Sequence, residues 1–269
     1  MLNTKDIDVS GTGPALLFLH GWPFHRETYY KIIGQLSKSF TCYALNSLGM
    51  TGRRSDSSAD FSFEGHANRT LEFMRDLGET RYTVVAHDTG GTIARLMAAM
   101  APDDIAHLIL LNTEIPNHRP PFIPSYQKTS HLPGMRYLQN SLVRQRWFQR
   151  SAAGYGGCFF DPSFIDAEFI SKFGTYWTKS PVRYRELMRY LRGVDFNVID
   201  DLDNTHSEIR CPVSFIWGEN DPTFPIDLGR AMALKMPTLR NFHAVPETRF
   251  LPHEEKPDRV ATLILEEMD

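Results

Sequence analysis

The sequence predicts an α/β fold, a mostly parallel sheet flanked by helices, with a compositionally distinct, aromatic-lined unit inserted in its middle. Three observations predict it. Short apolar runs alternate with helix-spaced stretches over residues 1–115 and again over 207–269. Turns rich in chemistry-bearing side chains follow those runs directly, where open sheets of this class bind ligands. Sixteen of the 32 aromatic residues lie between 116 and 206, half of them in a third of the chain.

The first strand is the apolar run 15–19, bounded by Gly13-Pro14 and Gly21. Residues 27–38 then show helical spacing through Tyr30, Ile33 and Leu36, and 40–45 is a second strand. Phe63, Ala67, Leu71, Met74 and Leu77 form one apolar helix stripe. Residues 82–86 are a β-branched strand, 92–99 an Ala- and Met-rich helix, and 105–111 the next strand. After the middle third the alternation resumes. Strand 213–217 ends at Gly218, Pro225 opens helix 226–235, 240–245 is a strand and 257–268 an amphipathic helix.

The composition excludes several classes. With 269 residues, 42% hydrophobic and 23% charged, the chain can bury a core without staples. Cys42, Cys158 and Cys211 form neither a zinc spacing nor a disulfide framework, so no metal or other cofactor is expected and a reducing, cytoplasmic setting is. The net charge of −3 argues against nucleic acid as a partner. No apolar run is long enough to span a membrane and no signal peptide is visible, so no membrane partner is expected. The sequence leaves the oligomeric state open. The middle third carries twelve Lys and Arg against eight Asp and Glu, leaving −7 on the remainder. Its arginines read as a solvated face.

The strongest motif follows strand 82–86: Ala86-His87-Asp88-Thr89-Gly90-Gly91. A sharp strand-to-helix turn needs small flanking residues and lifts its central side chain above the sheet. A carboxylate there can attack carbon and form a covalent ester. The same Asp could also be an ordinary helix N-cap, or an acid–base that forms no ester. After the first strand come His20-Gly21-Trp22-Pro23. Backbone N–H groups at Trp22 and Thr89 would make an oxyanion hole.

Together these motifs resemble the α/β-hydrolase fold, and within it the epoxide hydrolase and haloalkane dehalogenase branch with its Asp nucleophile. The resemblance covers nearly the whole chain. It implies a core of 1–115 and 207–269, with 116–206 as the helical lid. It implies Asp88 as nucleophile, with His20, Trp22 and Thr89 around the oxyanion and substrate site. Gly218-Glu219-Asn220-Asp221-Pro222 matches the family's acid turn, which makes Asp221 the acid; Glu114, after strand 105–111, is the second candidate. His253-Glu254-Glu255-Lys256-Pro257 resembles the C-terminal histidine region, yet Arg249 stands where the family's base is expected and His253 comes four residues later. Either His253 is the base or the site has none.

Pro181-Val182-Arg183-Tyr184-Arg185 resembles the lid stretch that supplies a tyrosine acid, so Tyr184 is expected to protonate the leaving oxygen; Tyr126 and Tyr137 are further lid tyrosines. Dehalogenases of this branch place a Trp after the nucleophile to hold halide. Thr89 stands there, although the Trp22 indole could substitute. The resemblance therefore implies an epoxide hydrolase-like enzyme acting on a small, largely apolar molecule. A haloalkane dehalogenase, or a binding protein whose hydrolysis is impaired by Arg249, are the alternatives.

Overall fold

The computed structural model describes residues 2–268. Seven strands form one sheet: β1 (Ile7–Ser10), β2 (Ala15–Leu19), β3 (Thr41–Leu45), β4 (Tyr82–His87), β5 (Ile105–Leu111), β6 (Val213–Gly218) and β7 (Leu239–Val245). Their order is β1-β3-β2-β4-β5-β6-β7, with every neighbouring pair parallel except β1–β3. The antiparallel edge strand β1 is the one strand the sequence reading missed, since Ile7-Asp8-Val9-Ser10 is too short and polar to stand out. Strands β2, β4 and β6 are buried along their whole length, as strands covered on both faces must be.

Helices cover both faces. On one side lie α1 (Tyr30–Leu36), shortened from the expected 27–38 by a 3₁₀ turn at Arg26–Tyr29, and the final helix Pro257–Met268. On the other lie α2 (Phe63–Asp76), capped by the Ser62 hydroxyl, and α3 (Thr89–Met100). Between β5 and β6 the described chain is helical without a strand, beginning with α4 (Ile123–Thr129), α5 (Met135–Leu142) and α6 (Arg146–Gln149) and including a longer helix at Pro181–Gly193. The helix Leu202–Glu208 runs through the expected boundary at 206/207 and packs on α3 of the core, tied there by Arg95 Nη1 and His206 Nε2 at 3.2 Å.

A buried polar cluster pins the last helix to the sheet. Glu267 accepts from Ser214 Oγ at 2.5 Å, from Asn241 Nδ2 at 2.8 Å and pairs with His243 Nε2 at 2.6 Å. His107 Nε2 meets Ser214 Oγ at 3.0 Å. Replacing Glu267 leaves the buried Ser214 hydroxyl without its acceptor and removes the partner of the partly exposed His243. Glu267→Ala is expected to cost about 2 kcal/mol of stability, read as a lower urea midpoint at unchanged slope.

Candidate active site

Asp88 sits where β4 gives way to α3, at φ 51° and ψ −130°. Such a backbone is disfavoured for any residue with a Cβ and persists only where the surroundings enforce it. Here the Asp88 N–H donates to Asn112 O at 3.0 Å and its carbonyl accepts from Gly91 N at 2.7 Å. Thr113 Oγ1 donates to the same carbonyl at 2.9 Å. The small flanking residues are required by contact. A Cβ on Gly90 would lie 2.3 Å from Leu19 O, and one on Gly21 would lie 2.3 Å from the Asp88 side chain.

The carboxylate is met from the turn after β2. The Trp22 N–H donates to Asp88 Oδ2 at 2.9 Å and to Thr89 Oγ1 at 3.1 Å. Of the two expected N–H donors, the one at Trp22 is occupied by the Asp88 side chain itself. Tyr190, which the sequence reading passed over, donates to Thr89 Oγ1 at 3.0 Å. Both lone pairs of that hydroxyl are thus filled, and its hydrogen is left for Asp88 Oδ2 or for a group in front of it.

Asp88, Thr89 and Glu114 share the floor of a cavity of about 420 Å³. Its walls are mostly apolar, with Trp22, Trp177, Leu187, Met188, Leu191 and Phe250 among them. Glu114 accepts from Thr92 Oγ1 at 2.9 Å and lies 3.1 Å from Thr113 Oγ1, whose one hydrogen is shared with the closer Asp88 carbonyl, with the buried Arg95 at 4.0 Å. Burial, then the Glu114 charge, push the Asp88 carboxyl well above the usual carboxylate range. Burial also raises Glu114, held back by Arg95 and the two threonine hydroxyls.

Asp221 is buried in the turn after β6. Its Oδ2 accepts from Asn112 Nδ2 at 2.7 Å and its Oδ1 from Thr223 N at 2.7 Å. Burial pushes it up to about 7 against those bonds. Among the described residues it bonds to no histidine. The Cys158 thiol lines the cavity within the field of both Asp221 and Asp88. Asn112, which also accepts from Gly218 N at 2.9 Å, is a second functional residue missed in the sequence; its place directly after β5 was the available signal.

Three expected residues are placed elsewhere. His253 lies in a separate short helix, Pro252–Glu255. Side chains alternate along β4, so His87 points to the sheet face opposite Ala86, the face covered by α1, and His253 packs there. Its ring stacks on Tyr29 and lies 5.0 Å from His87, and its Nε2 meets Thr28 Oγ1 at 2.9 Å. It does not line the cavity, and burial lowers its basicity well below that of a free imidazole. His20 accepts from Ser47 N through Nε2 at 3.1 Å, and burial takes it down to about 3, so it braces the turn and stays neutral. Tyr184 is buried off the cavity, with Arg192 and Arg136 near and no protein partner for its hydroxyl.

The remaining aromatic candidates are no better placed as donors. Tyr126 and Tyr155 line the cavity, but their hydroxyls donate to Ala153 O and Phe173 O. Tyr137 is 68% exposed on the outer surface. The Trp22 indole N–H donates to Leu187 O at 3.2 Å, which removes it as a halide donor.

Arg249 stands against the acid turn: a Cβ on Gly218 would lie 1.9 Å from Arg249 O, and Asn220 N donates to Thr248 O at 2.9 Å. Its guanidinium turns away and donates to Gly156 O at 2.7 Å. Glu255 Oε2 accepts the Arg249 N–H at 2.8 Å. The residue beside the Asp221 turn is therefore an arginine bonded to Gly156, and no histidine among the described residues lines the cavity.

Comparison with known proteins agrees with the fold. A family model described as alpha/beta hydrolase fold matches residues 14–257. A fluoroacetate dehalogenase from a Burkholderia species is 25% identical over 233 residues, 78% of this chain and 72% of that protein. Haloalkane dehalogenase 2 of Mycobacterium tuberculosis is 34% identical over 103 residues, 38% of this chain and 36% of that one. Among solved structures, an alpha/beta hydrolase fold protein from Burkholderia ambifaria superposes with a TM-score of 0.81 at 22% identity, covering 97% of this chain and 93% of that one. The epoxide hydrolase CorEH superposes with a TM-score of 0.77 at 20% identity, with coverage of 97% and 93%. At these identities the superpositions show shared fold.

Proposed function

The chain belongs to the α/β-hydrolase fold family and is a hydrolase, and from that premise we propose that it captures a small apolar epoxide as an ester on Asp88 and hydrolyses that ester slowly. The observation that carries this reading is an Asp at the strained turn, facing an apolar cavity that no described histidine lines.

Capture needs only groups already in place. An Asp88 oxygen attacks a ring carbon, the carbon–oxygen bond of the epoxide breaks, and the ring oxygen leaves as an alkoxide that takes a proton from water. The Thr89 hydroxyl, held by Tyr190, donates a hydrogen bond as that charge develops. In the second step water attacks the ester carbonyl of Asp88. The resulting oxyanion is met by the Trp22 N–H, with the Thr89 N–H as the second expected donor, and collapse releases the diol and regenerates the carboxylate. The family's way to activate that water is an imidazole, and Arg249 is a cation that cannot accept a proton near neutral pH. Hydrolysis therefore limits turnover.

The helical stretch 116–206 serves as the lid, excluding bulk water from the ester. The free thiols Cys42, Cys158 and Cys211 support a reducing compartment, and no described helix is long and apolar enough to cross a membrane. The engaged Trp22 indole and Thr89 after the nucleophile favour an epoxide over a haloalkane, whose halide needs free N–H donors.

Stopped-flow measurement of a chromogenic aryl epoxide tests the reading. Consumption should show a burst equal to the enzyme concentration, followed by a much slower steady state. Linear consumption from the first turnover would sink it.

The burst rate should also depend on pH in a stated direction. Asp88 attacks only when ionised, and its carboxyl is raised by burial and by Glu114. The rate is therefore expected to rise with pH through a midpoint above the usual carboxylate range. Glu114→Gln removes the neighbouring charge and should lower that midpoint by about one pH unit. An unmoved midpoint would show that the Glu114 charge is not felt at Asp88.

A further inference from the structure

The lid carries an outer surface that the proposed chemistry does not use. From residue 115 to residue 160 the chain has six Lys and Arg and not one Asp or Glu, which leaves −9 on the rest of the molecule. Arg119 pairs with Asp200 at 2.6 Å. Lys128, Arg136, Arg144, Arg146 and Arg150 form no ion pair among the described residues. Interleaved with them are exposed apolar side chains: Leu132 at 45%, Tyr137 at 68%, Leu138 at 52% and Trp147 at 66%. Helix α5 has no buried residue at all.

This surface is also the mouth of the cavity. Phe122 and Leu138 are each exposed and each line the cavity, so the opening lies between α4 and α5. Phe148 lines the cavity too, and its neighbour Trp147 is turned outward, with the two rings 5.9 Å apart.

We propose that this face of the lid docks on an anionic phospholipid surface, with Trp147, Tyr137, Leu138 and Leu132 in the headgroup layer and the cations on lipid phosphates. The charge pattern selects that partner. Unpaired cations without interspersed acids match a uniformly anionic plane, and the acidic remainder of the molecule is repelled from it, which orients the contact. The apolar side chains are spread over short helices and the turn before α5, which a fluid headgroup layer accommodates without shape complementarity. Docked in this way, the mouth opens onto the phase where an apolar substrate concentrates. The inference concerns binding and is measured without turnover, so it stands or falls separately from the Asp88 ester.

Cosedimentation with vesicles tests it. The protein should sediment with phosphatidylglycerol–phosphatidylcholine vesicles at low salt, stay free of pure phosphatidylcholine, be released by 0.5 M salt, and show a blue shift of Trp147 emission. Arg144→Gln with Arg146→Gln should weaken partitioning about 25-fold, at about fivefold per charge. Leu138→Ser with Trp147→Ser should weaken it about tenfold. Tyr137→Ser gives a separate readout of the apolar contribution should the double variant melt early. No sedimentation with the anionic vesicles would overturn the proposal. So would binding that is insensitive to every apolar substitution, which is plain adsorption to polyanions, or a concentration-dependent dimer lost in Trp147→Ser without any vesicle binding.

Discussion

Arg249→His is expected to raise steady-state turnover of an epoxide by about 10²–10³-fold while leaving the burst rate within a few-fold of wild type. The expectation follows from position. Residue 249 abuts the turn that carries Asp221, whose buried carboxyl accepts from Asn112 Nδ2 and the Thr223 N–H and bonds to no histidine among the described residues. The Arg249 guanidinium reaches Gly156, next to the cavity-lining Gly157 and Cys158. A shorter imidazole on the same backbone would stand between the acid and the cavity, where Asp221 can orient it and support its charge. General-base activation of water contributes about 10²–10⁴. The change also loses the bond to Gly156 O, worth about 1 kcal/mol, so a small drop in melting temperature should accompany it. Separate measurement of burst and steady-state rates decides the matter. A variant that folds and turns over no faster would show that water activation is not what limits hydrolysis.

The second large effect is Asp88→Asn. The amide cannot attack carbon, so the burst should fall by at least about 10³-fold. The fold should survive, because the Asn oxygen can still accept from Trp22 N–H. Substrate should still bind, measurable as tryptophan quenching from Trp22 or Trp177 in the cavity wall. Binding without capture separates a nucleophile from a packing residue. A substantial residual burst in Asp88→Asn would exclude the covalent role and favour Asp88 as an acid–base.

What the sequence disclosed was what strand–turn–helix logic can carry. Asp88, Thr89 and Trp22 were legible because a sharp turn after a buried strand leaves few choices of small residue, and contact at Gly21 and Gly90 enforces them. Glu114 and Asp221 were legible because each follows an apolar strand directly. His253 was misplaced because a histidine near the C-terminus looks the same whether its backbone faces the cavity or the α1 side. The short helix Pro252–Glu255 turns it to the latter, against Tyr29 and His87. Tyr184 and Tyr190 are six residues apart on one helix, and which of them meets Thr89 depends on the helix's rotation over the sheet, which no local pattern encodes. The edge strand β1 escaped notice because pairing with β3, and not hydrophobicity, holds it in place.

The account rests on an ester at Asp88 that outlives its formation. Intact-mass spectrometry of wild-type protein mixed with one equivalent of an apolar epoxide, followed by peptide mapping, tests it most directly. The predicted result is a mass increase equal to the whole epoxide, located on the peptide containing Asp88, persisting through the slow phase and replaced by one ¹⁸O in the Asp88 carboxyl after hydrolysis in labelled water. Complete conversion of the epoxide with no adduct at any time and no label in Asp88 would contradict it.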